Sequence, residues 1–307
     1  MGSAQSARRS LPPAGARVAG RYLLVRKLAE GGMGAVYEAE DPSGTRVALK
    51  LLHPDLTSDA DVRRRFRRES SILRALDHPA IVRILDAGEE QGVLLFMVME
   101  LLEGETLAQR LEREGKHDAQ SLLPIVRGVC AGLREAHGRG VIHGDLKPAN
   151  VFLCRDGPKL LDFGLSKVLG LERLTRTGEV IGTPAYMAPE LLTGKGQLDE
   201  RIDVYSLGVI LYQALAGRPP FVGNVPGKLM MDIVMGDAPA LRSFCDASEA
   251  TASVIACAMS RAREPEVVRR FLQEARAAAQ LKHANVVDVL DMGQEPDGTV
   301  YLVLELL

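Results

Sequence analysis

Two hydrophobic rhythms divide the chain. From Arg21 onward, short apolar runs follow the two-residue period of strands: Tyr22-Leu23-Leu24-Val25, Val36-Tyr37-Glu38-Ala39, Val47 to Leu52, Ile81–Asp86 and Val93–Met99. A Gly-rich stretch at 31–34 and Pro42-Ser43-Gly44 supply turns between the first of them. One helix interrupts the strands. Across Asp61–Leu76, Phe66, Leu73 and Leu76 fall on a single stripe, with Glu69 inside it. From about Thr106 helical periods dominate, broken by loops around 143–164 and 165–189. Strands first and helices afterwards predict an α+β protein in two lobes. The smaller would be β-rich with one helix (about 20–102), the larger helical (about 103–265). Residues 1–19, rich in Ala, Gly, Ser, Arg and Pro, read as a disordered leader.

The chain also repeats part of itself. Asp61–Leu102 matches Glu266–Leu307 without a gap at an offset of 205 residues. Both segments carry Arg-Arg-Phe, a Glu three residues later, Leu-x-His, Leu-Asp-x-Gly and a final Glu-Leu-Leu. Residues 266–307 thus read as a partial copy of the early helix and two strands, the remnant of a tandem duplication or of an interrupted reading frame. No Gly-rich loop or strand lysine precedes this copy, which excludes a second catalytic domain. Pro265 suits the first turn of a helix to about Leu281, with Val268, Phe271, Leu272 and Ala275 as its stripe. Asn285–Leu290 and Val300–Leu306 would form a hairpin through Pro296-Asp297-Gly298. A lone hairpin is marginal in water and has open edges, so this tail is expected either to be loosely held or to mediate self-association.

Composition narrows the class. Of the 307 residues, 46% are apolar and 25% charged, as in a soluble globular protein, and the net charge is −2. No basic field recruits nucleic acid, and the absence of Trp removes the usual stacking platform for single strands. No apolar run reaches membrane-spanning length. Cys130, Cys154, Cys245 and Cys257 form no CxxC pair and read as buried thiols of a reducing cytoplasm.

Candidate chemistry begins at Leu28-Ala29-Glu30-Gly31-Gly32-Met33-Gly34-Ala35-Val36, where a hairpin tip without side chains lets backbone N–H groups approach phosphate oxygens. In Val47-Ala48-Leu49-Lys50, alternation puts Ala48 and Lys50 on one face and Val47, Leu49 and Leu51 on the other. A small residue beside a cation suits a flat purine and its phosphates. Glu69 either pairs with Lys50 or lies at the stripe's margin in water. The densest signal is His143-Gly144-Asp145-Leu146-Lys147-Pro148-Ala149-Asn150, followed by Asp162-Phe163-Gly164. Here Asp145 can accept a hydroxyl proton, Lys147 can meet a transferring phosphoryl group, and Asn150 and Asp162 are hard oxygen ligands for Mg²⁺.

Over about residues 21–265 the chain resembles the eukaryotic-like (Hanks-type) bacterial Ser/Thr protein kinases. The resemblance implies a two-lobed kinase fold and ATP-dependent phosphorylation of protein Ser/Thr hydroxyls, with ATP and Mg²⁺ required and a role in cytoplasmic signalling. It assigns Leu28, Gly31, Gly32, Gly34 and Val36 to the nucleotide loop, Ala48 to the adenine pocket, Lys50 to the phosphates and Glu69 to its helix partner. Met99 becomes the gatekeeper, with Glu100 and Leu102 at the hinge. Asp145 becomes the catalytic base, and Asn150 and Asp162 the metal ligands. Gly182 to Glu190 resembles the substrate-docking loop, and Asp203-Val204-Tyr205-Ser206-Leu207-Gly208 the helix that anchors the catalytic loop. Three positions depart from the pattern: Ala29 replaces the first loop glycine, Gly144 replaces an arginine, and no arginine clearly matches Glu190. The competing expectations are a pseudokinase-like scaffold and a small-molecule phosphotransferase.

Overall fold

The computed structural model describes residues 11–57, 59–90, 94–163, 184–193, 199–223 and 225–260, and the backbone of two further strands at 289–294 and 300–304. Two compact units are present, residues 1–110 with 123–183 and residues 111–122 with 184–307.

The first unit is built on a six-stranded antiparallel sheet in the order β1-β2-β3-β4-β6-β5. Its strands are β1 (Arg17–Val18), β2 (Tyr22–Gly31), β3 (Gly34–Glu40), β4 (Arg46–Leu52), β5 (Ile84–Glu90) and β6 (Leu94–Glu100). The alternation read from the sequence holds at β4. Val47, Leu49 and Leu51 join Val18, Leu24, Tyr37 and Phe96 in one core, while Ala48 packs with Val82 and Met99 in another.

The short helix α1 (Pro54–Thr57) and the longer α2 (Ala60–Arg74) follow β4. The Asp59 carboxylate caps α2 by accepting from the Asp61 N–H. Helix α2 buries Val62, Phe66, Ser70, Leu73 and also Glu69. Phe66 is 1% exposed, so truncating it to alanine should cost about 3–5 kcal/mol. Arg63 and Arg67 reach Glu89 of β5, and Arg74 reaches Asp86.

The leader differs from expectation, being ordered from Leu11. Gly15 N–H donates to the Leu24 carbonyl (2.7 Å), Leu24 N–H to Ala16 (2.9 Å), and β1 pairs with β2. The cause is apolar content inside a segment whose composition looked disordered: Val18 is fully buried, and Leu11, Ala16 and Ala19 pack on the same core. The expected boundary near residue 102 also differs, because residues 123–163 group with the sheet. A three-stranded sheet, β7 (Glu105–Thr106), β8 (Val151–Cys154) and β9 (Gly157–Leu160), is tied to it by backbone bonds. Leu160 N–H donates to Ala80 (2.8 Å) and Val82 N–H to Leu160 (3.0 Å). That bonding makes 81–83 irregular, so β5 starts at Ile84 rather than at Ile81.

Among the described residues the remaining helices are α3 (Leu107–Glu114), α4 (Ala119–Gly138), α5 (Pro189–Thr193), α6 (Arg201–Ala216), α7 (Pro226–Met235) and α8 (Glu249–Ala258). In the second unit α6 is the central element, with Ile202, Asp203, Tyr205, Val209, Ile210 and Tyr212 buried. No helix among the described residues is long and apolar enough to cross a membrane. All four cysteines are free, but the expected burial is not found: Cys130 is exposed on α4 and the others are half-buried.

In the tail, β10 (Val289–Gln294) pairs with β11 (Val300–Leu304). The first of these was expected at Asn285–Leu290; it is described only from Val289 and runs on to Gln294. The pairs Val289↔Leu304, Asp291↔Val303 and Met292↔Leu302 each lie 205 residues beyond Ile84↔Met99, Asp86↔Val98 and Ala87↔Met97, and both hairpins shift register at the corresponding step. The helix expected at 265–281, with Arg269 and Arg270, lies outside the described residues.

Candidate active site

The nucleotide-loop candidates form a tight hairpin, with Gly31 opposite Gly34 and Gly32 and Met33 as its turn. Gly34 has φ +150°, and a Cβ there would lie 1.9 Å from the Leu51 carbonyl oxygen, so no other residue fits. Leu28 is exposed on β2, and Val36 on β3 packs toward Ala48 and Met99. Ala48 pairs with Met99 and Val47 with Glu100, which sets the end of β6 beside the small residue. Ala48, Met99, Val82, Val36, Leu102 and Leu161 line one apolar surface. Adenine needs such a surface with backbone groups at its rim.

Lys50 lies next but one along β4, 6% exposed, and its ammonium contacts Asp162 Oδ2 at 2.6 Å. Burial pushes the Asp162 carboxyl up, but the Lys50 charge and hydrogen bond, with His143 and Lys147 behind them, hold it below the usual carboxylate range. Asp162 also sits at φ +61°, a left-handed conformation that aspartate tolerates better than most residues. Behind it, Phe163 packs against the fully buried His143 with ring centroids 4.5 Å apart and planes tilted by 44°.

The 143–150 loop converges on the same place. Lys147 Nζ lies 2.7 Å from Asp145 Oδ2. The Asn150 amide donates to the Asp145 carbonyl (2.7 Å) and to Asp145 Oδ2 (3.3 Å), while the Leu161 N–H donates to the Asn150 carbonyl (2.9 Å). With its NH₂ so engaged, the Asn150 side-chain oxygen is left for a ligand, and Lys50 takes only one Asp162 oxygen. Two hard oxygen donors in this setting fit a divalent cation such as Mg²⁺. Gly144 has φ +72°, a conformation that glycine adopts without strain and an arginine would not.

Glu69 is 9% exposed on α2, so the inward-facing alternative is the one realised. Its expected pairing with Lys50 is absent. Lys50 is engaged by Asp162, and Glu69 makes no ion pair among the described residues. In this arrangement the contact to Asp162 stands in place of the one expected to Glu69.

The first part of the docking loop, Gly182 and Thr183, lies outside the described residues. In the second unit Pro184–Tyr186 forms a 3-10 turn, and Ser206 of α6 donates to the Tyr186 carbonyl at 2.8 Å. Val82 and Leu161 were missed as pocket residues. Leu161 could have been found as the neighbour of Asp162, but Val82 sits in an irregular stretch whose sequence reads as strand.

A sheet that presents a glycine hairpin and a buried lysine beside the 143–150 loop is the arrangement expected of a protein kinase domain. The profile of the protein kinase domain matches residues 22–256, and the chain belongs to that family. It is 41% identical over 219 residues to serine/threonine-protein kinase pkn2 of Myxococcus xanthus, covering 69% of this chain and 26% of that protein. It is 40% identical over 219 residues to PknA of Mycobacterium tuberculosis, covering 69% of this chain and 51% of the relative. The chain therefore spans about half, or less, of these relatives' length. Among solved structures, the kinase domain of Mycobacterium tuberculosis PknI aligns with a TM-score of 0.68 at 30% identity, covering 87% of this chain and 100% of that one.

Proposed function

We propose that this chain transfers the γ-phosphoryl group of ATP to Ser or Thr hydroxyls of protein substrates, as a cytoplasmic signalling enzyme. The observation that carries the reading is the convergence of Lys50, Asp145, Lys147, Asn150 and Asp162 within one compact unit. The named relatives support the Ser/Thr class, and the four free cysteines accord with a reducing compartment.

Asn150 and Asp162 would hold Mg²⁺, which when bound offsets phosphate charge. Lys50 binds the α/β-phosphates, while the apolar surface around Ala48, Val82 and Met99 takes adenine. Asp145 orients the acceptor hydroxyl and receives its proton as the oxygen bonds to phosphorus and ADP departs. Lys147, already on Asp145, offsets charge on the transferring group. The β10–β11 hairpin is proposed as a self-association element, since neither strand pairs with a third among the described residues.

The test is incubation with labelled ATP and Mg²⁺, comparing the parent with Asp145→Asn and mapping modified residues. Label should enter Ser and Thr, and Asp145→Asn should lower the rate by at least about 100-fold. Equal incorporation by both proteins would overturn the assignment.

A further inference from the structure

Glu100, at the end of β6, is fixed from three directions. Its Oε1 accepts the Arg83 backbone N–H at 2.9 Å and the Lys159 ammonium at 2.8 Å, while its own N–H donates to the Arg83 carbonyl at 3.1 Å. Lys159 stands on β9, three residues before Asp162. The next residue, Leu160, is bonded on both sides to the 80–82 segment. A short chain of contacts therefore runs from the strand ending at the hinge, through one ion pair, to the strand that leads into Asp162. The side chains of Lys159 and Glu100 are 21% and 31% exposed, so solvent only partly screens them.

A nucleotide held at its base by the hinge and at its phosphates through Asp162 needs a set distance between those two ends. Backbone pairing fixes β9 against 80–82, and β4 fixes β6, but the carboxylate–ammonium contact is the side-chain link that joins β9 to the end of β6. We propose that Lys159 is a positioning residue for the nucleotide, holding the hinge backbone at Glu100 in register with Asp162 without touching ATP. This rests on the nucleotide site proposed above.

The experiment compares the parent, Lys159→Met, Lys159→Arg and Glu100→Gln in steady-state kinetics with ATP varied. The same proteins are titrated with Mg·ADP, followed by calorimetry, which needs no turnover. Lys159→Met should raise both KM for ATP and Kd for Mg·ADP roughly fivefold, the scale of a partly screened ion pair. Its kcat should stay within about twofold, and Lys159→Arg should recover most of the loss. Glu100→Gln keeps an acceptor for Arg83 but loses the charge, and should raise Kd for Mg·ADP as Lys159→Met does. Unchanged KM and Kd in Lys159→Met and Glu100→Gln would overturn the inference while leaving the nucleotide site intact. So would a fall in kcat alone. Failure of the parent itself to bind Mg·ADP would remove the site and the inference together.

Discussion

Lys50 and Asp162 form a pair that bears on the fold and, under the proposed function, on the chemistry. Lys50 is almost fully buried, and its ion pair among the described residues is with Asp162. An unpaired ammonium at that depth is costly, so removing the carboxylate should be felt in stability as well as in phosphoryl transfer. Asparagine tolerates the left-handed backbone of position 162, which makes Asp162→Asn a clean probe. The folded carboxyl titrates below its ordinary value, so its contribution is full above the unfolded pKa of about 3.9 and is lost as pH falls through the lower folded value. Asp162→Asn should therefore lower stability at pH 7 by on the order of 2 kcal/mol. The gap to the parent should narrow as pH falls below 4, read by denaturant titration at each pH. A constant gap across that range would contradict the linkage. Gly144 adopts φ +72° without strain, and it brings no cation where the resembled kinases carry an arginine.

At the scale of elements, the leader is the clearest case of packing overriding composition. Residues 11–19 hold few large apolar side chains, which is why their sequence reads as unstructured. Val18 nevertheless reaches zero exposure because β1 lies against β2, and the Tyr37 hydroxyl donates to the Pro12 carbonyl at 3.0 Å. Starting the chain at Arg21 strips that cover from Tyr22, Leu24 and Tyr37. Burial of this size is worth on the order of 2–4 kcal/mol, so the denaturant midpoint should fall measurably. A midpoint equal to that of the full chain would show the leader to be dispensable. Strands β2 to β4 and helix α2 were legible because period and turn chemistry agreed at each, as at the Gly31–Gly34 hairpin and the alternating faces of Val47–Leu51. Residue types at fixed spacing singled out the 143–150 loop, and its Asp145, Lys147 and Asn150 do contact one another. What stayed hidden depends on contacts distant in sequence: the choice of Asp162 over Glu69 by Lys50, the hydrogen bonds that make 81–83 irregular, and the link from Lys159 to Glu100.

At the scale of the whole molecule, one sequence pattern is used twice in different surroundings. Ile84–Glu90 and Leu94–Glu100 pair with each other inside a six-stranded sheet, where β4 covers the free side of β6. The matching strands, β10 and β11, form a two-stranded sheet of the same register with no further strand bonded to it among the described residues. Register is set locally by the hairpin and its bulge, so it survives without the rest of the sheet. Stability is not set locally, because a lone hairpin is marginal in water and its open edges can accept another chain. Among the described residues, the strand that β4 supplies to β6 has no counterpart for β11. Under the proposed self-association, two copies of the chain would supply that cover to each other by pairing their tail hairpins. Deleting 285–307 should leave phosphoryl transfer per chain within about twofold, since the groups assigned to chemistry all lie between Lys50 and Asp162. The same deletion should abolish concentration-dependent growth in mass, measured by light scattering across a dilution series. If the shortened protein unfolds, or loses activity while staying monomeric, the tail belongs to the core instead.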